Sequence, residues 1–309
     1  MRVSVIMPAH NAAATLDTAI RSVVDQAHRE WQLIIVDDGS SDDTARIAEA
    51  AAARDTRIVV VRQENLGEAR ARNAGLARAS HPWLLCLDAD DWIAPDHLER
   101  LTAALQADPE LDAVHCRWVR VAADGSQVED PYRPPTGDMF EMWARRSAFP
   151  AHACLVRRAL VAEVGGFDPD LTRSADWDLW QRVARTGARF GHVDKVLAYY
   201  RMSPTAVSLD AAEMLACGLR VLRRGHGPDP RVATAHPGHA QGMPEDDVPS
   251  QAFYLLVWCA GLELARGRDP DHLFAHLNAM QFRALRPESV ATCLFDAGPL
   301  PACRGPAAW

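Results

Sequence analysis

Short apolar runs alternate with helix-spaced apolar patterns through the first 110 residues, and this alternation constrains the fold more than any other feature. Strands are predicted at 3–7, 31–36, 58–61 and 83–87, with a helix between successive strands. Such a strand–helix rhythm is typical of a parallel sheet covered by helices. We therefore predict an α/β fold whose sheet is mainly parallel and flanked by helices.

Polar loops follow three of these strands, at 8–11, 37–43 and 88–91. In open α/β sheets, ligands bind beyond the carboxyl ends of the strands. The third loop is the most informative, because Asp88, Asp90 and Asp91 follow a buried strand directly. A solvated turn or a helix cap would also explain these acids. Like charges this close repel, so a hard divalent cation that also holds phosphates explains them better.

Other features limit the choice of ligand and compartment. No glycine-rich phosphate loop follows the first strand, and the net charge of −8 argues against a nucleic-acid partner. The seven cysteines are scattered without a Cys-x-x-Cys pair, which indicates reduced thiols and a cytoplasmic location. We expect neither a signal segment nor a membrane span, while peripheral contact with a membrane stays open.

The second half of the chain shows a less regular pattern. A strand is predicted at 113–121, a helix at 174–185, two short strands at 189–192 and 196–201, and helices at 209–222, 251–266 and about 271–282. Residues 223–250 are rich in Gly, Pro, His and Asp, which predicts a mobile loop. We divide the chain into 1–110, 111–208 and a C-terminal helical extension at 209–309, whose helices could form a homodimer contact.

Six short motifs resemble, in order and spacing, those of the family 2 glycosyltransferases. They are Val-Ser-Val-Ile-Met-Pro-Ala-His-Asn from position 3, Val-Asp-Asp-Gly-Ser-Ser-Asp from 36, Asn-Leu-Gly from 65 with Ala-Arg-Asn-Ala-Gly from 71, Leu-Asp-Ala-Asp-Asp from 87, Gly-Gly-Phe-Asp from 165 and Asp-Trp-Asp-Leu-Trp from 176. One such motif is a weak signal, but six in order are specific. The resemblance covers residues 3 to about 208. It implies the GT-A fold, a Rossmann-like sheet, and an inverting enzyme that uses a nucleotide-sugar donor.

The resemblance also implies a donor site at the strand ends. The His10 ring would pack beside the nucleobase, Asp38 would hydrogen-bond the base, and Arg72 would reach the base or the diphosphate. Asp90 with Asp88, and Asp91 as an alternative ligand, would hold Mn²⁺ or Mg²⁺. The whole implied set for the donor nucleotide is Pro8, Ala9, His10, Asn11, Asp38, Arg72, Asp88 and Ala89. Without the resemblance, His10 could be a turn residue and Arg72 an exposed helix residue.

On the acceptor side, the resemblance implies that Asp176 is the general base. A carboxylate there can take the proton of a hydroxyl acceptor while a cation neutralises the leaving nucleoside diphosphate. Both Asp176 and Asp178 lie in the first turn of a predicted helix, where the helix dipole favours acids and should lower the pKa of Asp176. Candidate acceptor-side residues are Trp177, Asp178, Gly166 and His152, although Trp177 could instead be a core residue.

Two positions depart from the family pattern. Ala175 stands where members usually carry Glu, and Ser203 stands where a His often follows Tyr-Arg. One alternative is therefore a catalytically silent nucleotide-sugar-binding or scaffold protein. Another is a sugar-1-phosphate nucleotidyltransferase, which would need a glycine-rich basic loop after the first strand.

The favoured function is transfer of a single sugar from a nucleotide-diphosphate donor, UDP foremost, to a hydroxyl acceptor with inversion. The Gln-x-x-Arg-Trp motif of processive polysaccharide synthases is absent, which favours one transfer over polymerisation. The acceptor could be a glycan, a lipid-linked sugar or a small molecule.

Overall fold

A computed structural model describes residues 1–122, 124–129, 134–202 and 210–274. Within them the strands are β1 (Val3–Ala9), β2 (Trp31–Asp38), β3 (Ile58–Gln63), β4 (Trp83–Cys86), β5 (Trp92–Ile93), β6 (Ala113–Val121), β7 (Gln127–Glu129), β8 (Gly137–Asp138), β9 (Cys154–Arg157) and β10 (Arg189–Arg201). The helices are α1 (Leu16–Val24), α2 (Thr44–Ala52), α3 (Glu68–Arg78), α4 (His97–Ala107), α5 (Phe140–Arg145), α6 (Arg158–Glu163), α7 (Ala175–Arg185), α8 (Ala211–Gly225), α9 (Val248–Ala265) and α10 (Asp271–Phe274).

The strands form one mixed sheet in the order β3-β2-β1-β4-β9-β6-β10-β5, with β7 on β6 and β8 on β10. Strands β1 to β4 are parallel, as the strand–helix alternation predicted. The chain runs from β1 outward to β3 and then returns to the other side of β1 with β4. This reversal creates a switch point between β1 and β4, where a parallel sheet offers a crevice for a ligand.

The far half of the sheet is mixed. Strand β9 runs antiparallel between β4 and β6, while β10 is parallel to β6. The sequence predicted two short strands where β10 is continuous. Two register shifts, between Val193 and Ala198, interrupt its pairing with β6. The polar residues Asp194 and Lys195 fall in this irregular part and explain why the apolar pattern looked broken.

Pro8 lies inside β1, although it was predicted to end the strand. The carbonyl of Ile6 accepts a hydrogen bond from Leu87 N on the β4 side. The backbone nitrogen of Pro8, two residues further on, points to the same side as the carbonyl of Ile6. Strand β4 already ends at Cys86. The missing N–H of proline therefore falls where no ladder partner is lost.

One continuous hydrophobic core joins all three parts of the chain that the sequence delineated, from Val3 through Trp143 to Leu273. The boundaries at 110 and 208 stay predictions. The segment predicted to be mobile at 223–250 is shortened at both ends, by α8 and α9. Between them, His226 and Val232 are buried against the domain. The predicted third helix is described only as far as Phe274, so its remainder and the end of the chain lie outside the described residues.

Helix α9 is apolar around most of its surface. The stretch Glu245–Ala265 is long and apolar enough to cross a membrane by length and composition alone, and 44% of its apolar window is buried inside the protein. Core helices can meet the same criterion. The expectation of no membrane span is therefore not confirmed by the described part of the chain.

Candidate active site

The ends of β1 and β2 hold His10 in a defined position. Its Nδ1 atom lies 2.8 Å from the carbonyl oxygen of Asp38. Its Nε2 atom lies 3.2 Å from the amide nitrogens of both Asn11 and Asn65. A carbonyl only accepts and an amide NH₂ only donates, so the neutral Nδ1–H tautomer satisfies all three contacts. His10 is exposed at this edge, beside the buried Pro8 and Ala9, where a nucleobase was predicted to bind.

Asp38 organises the neighbouring turn. Its carboxylate accepts hydrogen bonds from Leu66 N at 2.9 Å, Gly67 N at 2.8 Å and Gln63 Nε2 at 2.7 Å. The side chain is buried and already has three protein donors. Holding the turn that starts α3 is therefore its visible role, and its contact with a base stays a prediction.

Helix α3 packs unusually close to β1. A Cβ atom on Gly75 would lie 2.5 Å from Cγ2 of Ile6, so only glycine allows this approach without movement. The close approach explains the glycine of the Ala-Arg-Asn-Ala-Gly motif. It also brings Arg72, one turn earlier in α3, over the switch point.

Arg72 joins α3 to the end of β4. Its Nη2 atom lies 2.7 Å from Oδ1 of Asp88 and also contacts Glu68, four residues earlier. Only 4% of Arg72 is exposed, so the interpretation as an exposed helix arginine is wrong. Burial opposes its charge, yet Asp88 and Glu68 raise the pKa of Arg72. Glu68 was missed from the sequence, although its i,i+4 spacing to Arg72 predicts this pair.

The acids after β4 take different positions. Burial and the adjacent Asp88 raise the pKa of Asp90 to about 6, and its carbonyl accepts a hydrogen bond from Nε of Arg201 at 2.7 Å. Asp91 is 1% exposed, with Oδ1 bonded to Arg201 N at 2.7 Å and Oδ2 3.3 Å from Nδ1 of His152. Asp91 therefore faces the interior next to Arg201 and His152, and its use as an alternative metal ligand stays a prediction. Arg201 was not singled out from the sequence.

The charge balance fits a divalent cation. Asp88 and Glu68 form ion pairs with Arg72, and Asp90 and Asp176 interact with it electrostatically. A surplus of carboxylate oxygens at one place is what Mg²⁺ or Mn²⁺ would relieve. Among the described residues, however, no three His, Cys, Asp or Glu side chains meet closely enough to hold a metal by themselves. The protein would thus contribute Asp88 and Asp90, with further ligands from elsewhere.

Asp176 lies at the start of α7 and interacts electrostatically with Arg72 and Asp88. It is half-buried, and its Oδ1 accepts a hydrogen bond from Trp177 N at 2.8 Å. Burial raises the pKa of Asp176, although Arg72 lowers it in part. The expectation that the helix dipole would make the pKa low is therefore wrong. A carboxylate with a raised pKa is a stronger base once it is ionised.

The four predicted acceptor-side residues are all buried in the structure. Asp178 is fully buried in ion pairs with arginines. Trp177 is 4% exposed and donates from Nε1 to Trp143 O at 2.6 Å, so it is a core residue. The other two, Gly166 and His152, are buried as well.

Gly166 and His152 support the site from within. A Cβ on Gly166 would lie 2.6 Å from Oδ1 of Asn73, and Asn73 holds Phe167 through two 2.8 Å hydrogen bonds. Burial lowers the pKa of His152 to about 4, although Asp88 raises it in part. Ser203, the other position that departs from the family pattern, lies outside the described residues.

Comparison with known proteins decides the family. The profile described as "Glycosyl transferase family 2" matches residues 4–165, more than half of the 309-residue chain. The chain belongs to glycosyl transferase family 2. It is thus a glycosyltransferase, as its motifs predicted, and the alternative of a sugar-1-phosphate nucleotidyltransferase is not supported.

Named relatives share part of this glycosyltransferase's length. It is 28% identical over 207 residues to the putative teichuronic acid biosynthesis glycosyltransferase TuaG of Bacillus subtilis, covering 67% of this chain and 81% of TuaG. It is 30% identical over 207 residues to the O-antigen biosynthesis protein RfbC of Myxococcus xanthus, covering 66% of this chain and 16% of RfbC. The chain therefore corresponds to a small part of some relatives and to most of others.

Solved structures share its fold. The mannosyltransferase PcManGT from Pyrobaculum calidifontis, in complex with GDP-Man and Mn²⁺, has a TM-score of 0.62 at 20% identity and covers 99% of this chain and 81% of that one. S. aureus TarS 1–349 in complex with UDP-GlcNAc has a TM-score of 0.58 at 20% identity, and the match covers 92% of this chain and 93% of the TarS chain. The mixed sheet with flanking helices is therefore the GT-A fold, as predicted.

Proposed function

We propose that this glycosyltransferase moves a single sugar from a nucleotide-diphosphate donor, with a UDP-sugar as first choice, to a hydroxyl acceptor with inversion and with help from Mn²⁺ or Mg²⁺. One observation carries the proposal. Asp88 and Asp90 from the end of β4, Arg72 from α3 and Asp176 from α7 converge at the switch point of the sheet. The donor complexes of TarS and PcManGT support a nucleotide-sugar donor.

The residues would divide the work by their positions. His10 and its neighbours at the end of β1 hold the base. Arg72 offers a fixed positive charge to the diphosphate side of the cleft. A cation at Asp88 and Asp90 would neutralise the charge that develops on the leaving nucleoside diphosphate.

Asp176 would act on the acceptor. Its carboxylate takes the proton of the attacking hydroxyl as the new glycosidic bond forms and the bond to the nucleotide breaks. Attack from the side opposite the leaving group inverts the anomeric centre. The raised pKa of Asp176 favours proton transfer to it.

The names of two relatives support a biological setting. TuaG is named for teichuronic acid biosynthesis, and ExoU of Rhizobium meliloti, 31% identical over 200 residues, for succinoglycan biosynthesis. We propose a role in polysaccharide or glycoconjugate synthesis, with a glycan, lipid-linked sugar or small molecule as acceptor. A cytoplasmic location is supported by five described cysteines that are all buried and free.

The test is release of nucleoside diphosphate from a panel of UDP-, GDP- and dTDP-sugars with Mn²⁺ or Mg²⁺. We expect turnover with one donor class, and a loss of about a hundredfold or more in Asp176→Asn. Asp170→Asn, an exposed acid in the preceding turn, is the matched control and should stay active. NMR of the product should show an inverted anomeric centre. UDP binding without turnover on any acceptor would instead support the catalytically silent alternative.

A further inference from the structure

Six charged side chains form an ion network around Asp178 of α7. We call it the α7 network, and its members are Asp168, Asp178, Asp229, Arg182, Arg224 and Arg231. Three carboxylates balance three guanidinium groups. Asp178 is at its centre and is fully buried. A buried carboxylate needs such partners, since an unpaired charge inside a protein is strongly unfavourable.

Two of the arginines come from outside α7. Arg231, between α8 and α9, places Nη2 2.9 Å from Oδ1 of Asp178 and 2.6 Å from Oδ2 of Asp229. Its Nη1 atom lies 3.0 Å from Oδ2 of Asp168. Arg224, at the end of α8, contacts Asp178 at 2.9 Å and Asp168 at 2.8 Å. The network thus fastens α7 to the C-terminal segment.

The network bears on Asp176 through helix geometry. Residues two apart on a helix point to nearly opposite sides, so Asp178 faces the network while Asp176 faces the cleft. Arg182 belongs to α7 itself and anchors that helix to the carbonyl of Val164, while Arg224 and Arg231 hold Asp178 from the C-terminal segment. Ser174, just before α7, has a φ of +58°. This sparsely populated conformation persists only where the surroundings hold it.

We propose that Arg231 is a positioning residue for Asp176. By holding Asp178 on the far side of α7, it sets the direction in which the Asp176 carboxylate enters the cleft. The segment between α8 and α9, which the sequence predicted to be a mobile loop, is therefore part of the acceptor-side machinery. This inference rests on the proposed function, in which Asp176 is the base.

The experiment compares Arg231→Gln with Arg220→Gln. Arg220 lies on α8, is exposed and, among the described residues, donates one hydrogen bond, to the carbonyl of Asp170 at 3.0 Å. For Arg231→Gln we expect turnover per UDP-binding site, counted by calorimetry, to fall about tenfold. The dissociation constant for UDP should change less than twofold, because the donor site lies on other elements. Arg231→Lys should recover part of the rate, and Arg220→Gln should match the parent.

A double variant separates positioning from general destabilisation. In the Asp176→Asn background, Arg231→Gln should cause no further loss of rate, because its effect acts through the missing base. Equal losses in both backgrounds would overturn the proposal, as would a parallel loss of UDP affinity.

Further measurements distinguish failure of the positioning role from failure of the proposed function. If Arg231→Gln does not fold, Asp229→Asn removes only one partner of Arg231 and should lower the rate in the same direction; an unchanged rate overturns the inference. If the parent protein neither binds UDP nor turns over any donor, the proposed function fails. Normal turnover in Arg231→Gln, alongside inactive Asp176→Asn, overturns the positioning role alone.

Discussion

The Nη2 atom of Arg72 lies 2.7 Å from Oδ1 of Asp88, and the same nitrogen contacts Glu68. One buried guanidinium group thus connects α3 with the strand end that carries the acids. Asp90 and Asp176 lie within its electrostatic reach. With Arg201 as the other cation at the strand end, four acids face two arginines. The excess of negative charge at this strand end can be tested without knowing which donor sugar the enzyme uses.

Removal of Arg72 should destabilise the protein. Arg72→Met leaves Asp88 and Glu68 without their common partner. We expect a loss of roughly 2–3 kcal/mol in the free energy of unfolding, less than for a fully buried pair because both acids are partly exposed. The stability of Arg72→Lys should lie between those of the parent protein and Arg72→Met, because an ammonium group keeps the charge but lacks the planar fork that reaches two carboxylates. Chemical denaturation measures both, and Mn²⁺ should restore part of the loss in Arg72→Met.

Arg70→Met is the control for this change. Arg70 lies on the same helix but is exposed, with one long hydrogen bond of 3.3 Å to Leu66 O. Its loss should change stability by less than about 0.5 kcal/mol. Equal effects at Arg70 and Arg72 would contradict the bridging role.

Asp90→Asn should stabilise the metal-free protein near neutral pH. The folded-state pKa of Asp90 is raised to about 6 from 3.8, so the native state binds a proton that the unfolded state has lost between these values. Stability therefore falls as pH rises from about 4 to 6, and the cost persists above pH 6. An asparagine cannot ionise and therefore removes this cost. At pH 7.5, with a chelator present, we expect the free energy of unfolding of Asp90→Asn to rise by roughly 1–2 kcal/mol, while catalysis is lost.

Asp96→Asn should behave in the opposite way. Burial tends to raise the pKa of Asp96, but Lys195 and Arg100 together lower it below the ordinary value. Its contribution to stability is present above the unfolded pKa and is lost as pH falls through the folded pKa. The variant should be less stable than the parent at pH 7.5. Thermal unfolding at pH 4, 6 and 7.5, with a chelator present, compares Asp90→Asn and Asp96→Asn with the parent. If both variants change the melting temperature in the same direction at pH 7.5, the argument is refuted.

The sequence predicted the features that depend on local pattern. The strand–helix alternation, the acids after β4 and the place of Asp176 at a helix start follow from residues near one another. The roles of Asp176 and Asp178 could not be separated in this way, because both suit the first turn of a helix. The partners that bury Asp178, Arg224 and Arg231, lie 46 and 53 residues further along the chain. Only the folded chain shows which acid faces the cleft.

Gly75→Ala should disturb the site from a distance. The new Cβ would lie 2.5 Å from Cγ2 of Ile6, so α3 or β1 must move, at a cost of about 1–3 kcal/mol. Because Arg72 lies one turn earlier on α3, UDP affinity should fall as well. Ile6→Ala combined with Gly75→Ala makes room for the methyl group and should recover affinity beyond either single change. Additive losses would argue against a packing cause.

Trp177→Ala should cost stability and leave donor binding alone. Trp177 is 4% exposed, and its hydrogen bond to Trp143 O is buried. We expect a loss of about 3–5 kcal/mol in the free energy of unfolding, as for other buried tryptophans. At temperatures below its unfolding midpoint, Trp177→Ala should bind UDP with the same affinity as the parent protein. Trp258→Ala, on the half-exposed side of α9, should cost less. A raised acceptor KM in the folded Trp177→Ala variant would instead support Trp177 as an acceptor-side residue.

His10→Ala should weaken nucleotide binding through loss of the ring. The ring is held by Asp38 O on one side and by Asn11 and Asn65 on the other, so its face is presented without further ordering. Stacking of a base on an aromatic face contributes about 1–3 kcal/mol, and we expect UDP affinity to fall roughly tenfold. His10→Phe keeps the face and should retain more affinity, although it loses the three hydrogen bonds.

Pyrophosphate with Mn²⁺ separates the base from the rest of the nucleotide. It lacks a base, so its affinity should be the same in His10→Ala and in the parent protein. His28→Ala is the control variant, because His28 is half-exposed and its side chain, among the described residues, makes one hydrogen bond, from Nε2 to Met1 O at 2.7 Å. If pyrophosphate and UDP weaken equally in His10→Ala, the residue orders the loop and does not pack on the base. That result would place the nucleobase away from the face of the His10 ring.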